Sequence, residues 1–278
     1  MSNSDILERY TREKLRGKSV ATIKTYLYVL RQFESWLIDA GADLNTYARS
    51  DVQQYLDSLS ARGKTASTTN KIYHAIKSFS RWAKKYDAVE DIQLTKQKKK
   101  DAPKSLPKKE RLKLVREADR SHNLRNYAMI IVLLYTGIRV SELTALNKSD
   151  IIIGPRSGTL KVRHGKGDKE RELPLGPEVR RAIKKYLEQR TDDIEALFIS
   201  NRDQRISVRS VQRVLKKYGT HPHALRHTFI TGLVRSGKDL SLVQSLSGHS
   251  SADMVLRYSQ PTQEDKEAAI ESLYIDKQ

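Results

Sequence analysis

The chain of 278 residues carries 52 Lys and Arg against 33 Asp and Glu, a formal net charge of +19 with a pI near 9.9, and a field of that sign suits a polyanionic partner, either nucleic acid or an anionic membrane surface. It has no cysteine, which excludes disulfides and thiolate metal sites. The longest apolar run, around MIIVLLY at 129–135, is far too short to span a bilayer, and the opening MSNSDILERY has no basic-then-apolar signal pattern, so the expectation is a cytoplasmic protein of one large or two ordinary domains.

Residues 1–95 read as a small helical domain. In SVATIKTYLYVLRQFESWLIDAG, Ile23, Tyr26, Leu27, Leu30, Phe33 and Leu37 fall at helical spacing, with Gly41 as the stop. SDVQQYLDSL opens on Ser50 with Gln53 three positions later, the spacing of a capping box, ahead of Val52, Tyr55, Leu56 and Leu59. STTNKIYHAIKSFSRWAKKY repeats the pattern through Ile72, Ile76, Phe79 and Ala83. Lys64, Lys71, Lys77, Arg81, Lys84 and Lys85 make this domain basic. Such residues commonly form a solvated face, and the overall charge turns some of them toward phosphate. The stretch TKQKKKDAPKSLP is polar and basic, with two prolines and no apolar period, and residues 96–106 within it read as an inter-domain linker.

The second domain, 107–278, starts with PKKERLKLVREAD, where Pro107 lies near the first helical position. NLRNYAMIIVLLYTG is apolar nearly all round from Ala128 to Leu134 and reads as a central buried helix, interrupted at Gly137. DIII, TLKVRH and KERELPL have strand character and are separated by GPRSG and GKGD, which predicts a small antiparallel sheet of three strands. From residue 177 the pattern is helical again.

Four stretches hold groups with chemistry. HPHALRHTFITG places His223 three residues before Arg226 and four before His227. A metal site there would want a Glu just after the first His, where Ala224 stands, and an arginine between the two histidines repels a cation. The remaining readings are a helix with incidental polar residues and a place where an anion is held. In YTGIRVSELTAL, Arg139 follows Gly137 at the end of an apolar segment and must either reach solvent or find an anion; Glu142 can pair with it. RHGKGDKERELPL carries Lys166 between two glycines. It is not a phosphate-binding loop of the Walker type, so the choice is a basic hairpin tip or a lysine carried into a negatively charged cleft. SLSGHSSADMVLRYSQ gives His249 and, nine residues on, Tyr258, which alone would read as a packing residue.

In that order, TGIRVSEL, GKGDKERELPL, HALRHTFITGLVRSG and GHSSADMVLRY resemble the tyrosine recombinase, or phage-integrase-like, family across the whole second domain, and SVATIKTYLYVLRQF resembles its N-terminal core-binding domain. By size the chain is similar to the compact Xer-type and transposon-resolution members. The resemblance implies a mainly α fold: a helical, SAM-like core-binding domain, then a mostly helical catalytic domain with a small three-stranded antiparallel sheet. It also implies site-specific cleavage and rejoining of DNA strands through a 3′-phosphotyrosyl intermediate, without metal, ATP or other cofactor, in integration, excision or dimer and cointegrate resolution. By the same resemblance, Arg139 and Arg226 grip the scissile phosphate and Lys166 protonates the leaving 5′-oxygen. His223 assists proton transfer, His249 matches the second His or Trp position, Tyr258 is the nucleophile, and Glu142 supports the first arginine. His221 and His227 are left to structural or supporting roles. Ser247 stands where Leu is common, and DMVLRY replaces a Thr-rich approach to the tyrosine; both departures are expected to touch packing and not chemistry. The implied partners are double-stranded DNA, further copies of the chain (a tetramer at synapsis) and accessory DNA-bound proteins, with no membrane. The tail QEDKEAAIESLYIDKQ, with Ala268, Ile270, Leu273 and Tyr274 at helical spacing, packs on its own chain or docks on a neighbouring protomer.

Three other readings compete. A type IB topoisomerase shares the tyrosine chemistry but relaxes supercoils. A metal-dependent nuclease would need a carboxylate cluster, for which TDDIE (Asp192, Asp193, Glu195) is too local and reads better as a connector. A non-enzymatic DNA-binding regulator leaves Arg139, Lys166, His223, Arg226 and Tyr258 without a joint role.

Overall fold

The structure is a computed structural model that describes residues 3–96, 104–163, 170–249, 251–259, 266–267 and 269–272. It divides into two compact units, Met1–Lys100 and Asp101–Gln278.

The first unit packs four helices: α1 (Asn3–Lys14), α2 (Val20–Asp39), α3 (Arg49–Ala61) and α4 (Ala66–Trp82). The stripe expected on α2 lies inward, with Leu30, Phe33 and Leu37 fully buried against Tyr47, Tyr55, Ile76 and Phe79. The start of α3 differs from expectation. Its box is formed by Asp51, whose carboxylate accepts from the Ala48 backbone N–H at 2.7 Å, so the helix begins one residue before Ser50. Gln53 is engaged elsewhere, its amide holding the backbone of Gln93 through bonds of 2.9 and 3.2 Å. Lys85 belongs to the fold, lying 4.4 Å from the Tyr47 ring centre and donating to the Tyr47 carbonyl. Lys64 and Lys71 are exposed and line a groove with Arg62 and His74.

The second unit is built around α6 (Leu124–Thr136), in which Ala128 through Leu134 are all buried, as its all-round apolar sequence predicts. Helices α5 (Lys108–Arg120) and α8 (Pro177–Glu188) flank it. Pro107 is the residue just before α5, not within its first turn, and its carbonyl accepts the first helical bond, from Arg111. The short helix α7 (Val140–Ala145) leads to the antiparallel sheet β1 (Ile151–Ile153), β2 (Gly158–Val162) and β3 (Arg171–Pro174), in that spatial order, with Leu160 opposite both Ile151 and Leu173. Helices α9 (Val208–Lys217), α10 (Pro222–Arg235), α11 (Leu240–Ser247) and α12 (Ala252–Leu256) follow. The chain is thus mainly helical, with one small three-stranded antiparallel sheet. The TDDIE connector is structural: Asp192 forks onto the Arg190 guanidinium, which also holds the Ala196 and Leu197 carbonyls, and Glu195 accepts from Asn147. In the tail, Ile270 is 57% exposed, while Ala268, Leu273 and Tyr274 lie outside the described residues.

Candidate active site

Two helix ends and one helix face build the site. Helix α6 stops at Gly137, which takes a left-handed φ of 62°. A side chain there would be strained, and its Cβ would stand 2.2 Å from the Phe229 ring. The turn projects Arg139 at the start of α7, and Glu142, one turn on, accepts from the Arg139 backbone N–H (2.7 Å) and from its Nη1 (2.8 Å). Helix α11 stops in the same manner at Gly248, φ 64°. Arg226 reaches from the inner face of α10 to both ends, donating through Nη1 to the Gly137 carbonyl at 2.6 Å and through Nη2 to the Ser247 carbonyl at 2.7 Å. Arg139 donates through Nη2 to the Gly248 carbonyl at 2.9 Å.

Carbonyls at helix C-termini carry partial negative charge and lack helical partners, so guanidiniums satisfy them well. These contacts orient the arginines without cancelling their charge. Three guanidiniums, Arg139, Arg226 and Arg171, surround the single carboxylate of Glu142. Burial pushes the Glu142 carboxyl up, but bonds from Arg171 and Arg139 outweigh it and leave the group below its ordinary value, ionised. Burial, with Arg139 close by, brings the buried Arg226 down to about 10, still charged at neutral pH.

Helix α10 starts with His221, whose Nδ1 accepts from the Ala224 N–H at 3.3 Å, and Pro222 follows at its first position. His221 is therefore a capping residue. Tyr258 follows α12 and packs in a small apolar cluster with Ile230, Val243 and Val255. Its hydroxyl lies 2.7 Å from His227 Nδ1. His227, which the sequence left to a supporting role, is thus the imidazole in direct contact with the tyrosine. His223 is exposed one turn back, its ring 6.2 Å from that of His227. The signal for His227 was its four-residue offset from His223 on the Arg226 side of the helix. His249 packs its ring 5.9 Å from the Tyr258 ring, and its Nδ1 lies 3.0 Å from the Ser247 hydroxyl. Ser247 therefore does more than pack, since it contacts His249 by its side chain and Arg226 by its carbonyl. Burial, reinforced by neighbouring cationic and imidazole groups, pushes both His227 and His249 down to about 4, so both rings are neutral near pH 7. Burial raises the Tyr258 phenol, while Arg226 and Arg257 pull the other way without reversing it.

The structure thus brings Arg139, Arg226, His249 and Tyr258 into one cluster, with Glu142 beneath Arg139, and adds His227 and Arg171. Lys166 lies outside the described residues. Among the described residues no three His, Asp or Glu side chains are grouped to hold a metal ion.

The phage integrase family model matches residues 104–265, and the model for the phage integrase N-terminal SAM-like domain matches residues 7–86. The tyrosine recombinase XerA of Pyrococcus furiosus is 34% identical over 278 residues, covering 96% of this chain and 93% of the relative. The tyrosine recombinase XerC of Myxococcus xanthus is 32% identical over 299 residues, covering 98% of each. In fold, the crystal structure of XerH site-specific recombinase bound to difH substrate superposes with a TM-score of 0.72 at 23% identity, covering 97% of this chain and 84% of that one. Family models that together span most of both units, and relatives matched nearly end to end, lead to one conclusion: the chain belongs to the phage integrase family of tyrosine recombinases.

Proposed function

We propose that this protein is a site-specific DNA recombinase whose Tyr258 attacks a backbone phosphate to form a 3′-phosphotyrosyl link. The observation that carries the reading is the convergence of two guanidiniums, both anchored by helix-end carbonyls and only one of them bonded to a carboxylate, beside a tyrosine hydroxyl bonded to a neutral imidazole. As the phosphorus becomes five-coordinate, charge grows on its non-bridging oxygens, and forked donors from Arg139 and Arg226 stabilise that growth. The phenol is a weak nucleophile while protonated, and burial keeps it so; it needs an acceptor at the moment of attack. A neutral ring with its proton on Nε2 offers Nδ1 for that purpose, which gives His227 the role in the geometry described here. His223 lies one turn away, with its ring 6.2 Å from that of His227.

The bond from phosphorus to the 5′-oxygen breaks as the bond to Tyr258 forms, and the leaving oxygen takes a proton from a general acid, the role assigned to Lys166. One phosphate ester replaces another, so bond energy is retained and the 5′-hydroxyl of another strand can reverse the step. Duplex DNA is the substrate, copies of this chain are the partners, and a tetramer supplies the four cleavages that exchange two duplexes. The reaction serves integration, excision or resolution.

The test is covalent capture. The protein is incubated with fragmented genomic DNA of its own host and quenched in detergent, and the attached DNA is sequenced at its ends. Wild type is expected to yield one class of junction, with or without a chelator. Tyr258→Phe is expected to retain DNA binding and lose the adduct entirely. An adduct from the Phe variant would remove Tyr258 from the mechanism.

A further inference from the structure

One guanidinium at this site has no task in the reaction as described. Arg171 opens β3, its side chain is only 12% exposed, and its fork closes on Glu142, with Nη1 3.1 Å from Oε1 and Nη2 2.8 Å from Oε2. Each carboxylate oxygen is therefore shared between Arg171 and Arg139, since Oε1 also takes Arg139 Nη1 and Oε2 takes the Arg139 backbone N–H. A carboxylate left to one arginine prefers to grip it through both terminal nitrogens. Here the Arg171 fork holds the carboxylate across a different line, so Arg139 gives it one side-chain bond and keeps Nη2 for the Gly248 carbonyl.

A second contact acts on the same target. The space above Gly248 is filled by the Arg171 guanidinium, since a Cβ on that glycine would stand 2.9 Å from both Cζ and Nη1. The turn resting on Arg171 is the one whose carbonyls hold Arg226, through Ser247, and Arg139, through Gly248, and which continues into His249.

We propose that Arg171 is a positioning residue for phosphoryl transfer: by sharing Glu142 and supporting the Gly248 turn, it fixes the direction of Arg139 and leaves the charge of Arg139 available to the scissile phosphate. Its fork is occupied by Glu142, so its action on the phosphate is assigned through Arg139. The assignment rests on the recombinase reading, and the wild-type arm below separates the two.

The experiment uses the full chain and the duplex recovered by covalent capture, made with either an ordinary phosphodiester or a neutral methylphosphonate at the cleaved position. Arg171→Met is expected to slow adduct formation on the phosphodiester by roughly 10- to 100-fold, below the roughly 10²- to 10³-fold typical of removing an oriented donor outright, because Arg139 is redirected and not lost. DNA affinity is expected to stay within about threefold, because the side chain is only 12% exposed and its fork is taken up by Glu142. On the methylphosphonate, which is neutral before attack and keeps one non-bridging oxygen where the phosphodiester has two, there is less charge for Arg139 to balance, so the gap between wild type and variant narrows. Arg171→Lys, which keeps the charge but gives up the fork, falls between them with unchanged melting and guards against a folding defect. Arg139→Ala with Arg171→Met is no slower than Arg139→Ala alone, because both act through one group. Equal slowing on both substrates, or multiplicative losses in the double variant, would overturn the proposal and leave Arg171 a fold contact. If covalent capture yields no adduct from the wild-type chain, there is no duplex to test, and it is the recombinase reading that falls.

Discussion

His227 and His249 sit among guanidiniums in a partly buried cluster, and their environment sets how the folded chain responds to acid. An unfolded chain would protonate both rings near their ordinary value of 6.5, whereas the folded rings resist until about pH 4. Between those values the unfolded state binds more protons, so stability that is complete above pH 6.5 is lost progressively as the pH falls toward 4. Denaturant midpoints are expected to decline from about pH 7.5 to about pH 5, and His227→Gln combined with His249→Gln should flatten that decline. An equally steep decline in the double variant would place the acid sensitivity in other groups. The same depression of basicity suits the proposed reaction, because a ring neutral at pH 7 is able to accept a proton from Tyr258, where an imidazolium is not.

At the scale of the elements, the site depends on where α6 and α11 stop, and each stops at a left-handed glycine. Gly137→Ala combines a left-handed residue with a Cβ that overlaps the Phe229 ring, so a loss of roughly 2–4 kcal/mol is expected, readable as a lower denaturant midpoint at unchanged slope. Gly137→Ala with Phe229→Leu should recover part of it; no recovery would mean that backbone strain alone sets the penalty. Much of this was legible in the sequence: the stripe of α2, the apolar helix α6, the three strands and the break at Gly137 follow from spacing and residue type. The rest depended on contacts that spacing does not encode. Helix α1 lies in a polar opening stretch, and only its packing buries Ile6, Leu7 and Tyr10 against the first core. The box at Asp51 opens on Ala48, which has no side-chain acceptor to flag a helix start, so the sequence pointed to Ser50 instead. Arg171 looked like one more charge in a basic hairpin, because its meeting with Glu142, 29 residues earlier, exists only after the sheet forms.

For the whole molecule, the excess of cations is not consumed by folding. Several arginines that build the second unit, among them Arg125, Arg205 and Arg226, are satisfied by backbone carbonyls, which leave their charge uncompensated. A chain of net charge +19 therefore keeps a strong positive field after its internal bonds are made. Binding to duplex DNA releases condensed counterions in proportion to the phosphates contacted, so affinity should fall steeply with salt, by about 10³-fold or more between roughly 50 and 200 mM if six to ten phosphates are engaged. Titration of a labelled duplex at several salt concentrations gives the slope, and fewer than about three released counterions would contradict a DNA-wrapping role for this charge. Lys64→Ala with Lys71→Ala, two exposed cations on one groove of the first unit, should lower the slope by roughly two and weaken all sequences alike. Tyr258→Phe should leave the slope unchanged, because a buried hydroxyl releases no counterion. This contrast separates a field proposed to gather DNA from the small cluster proposed to cut it.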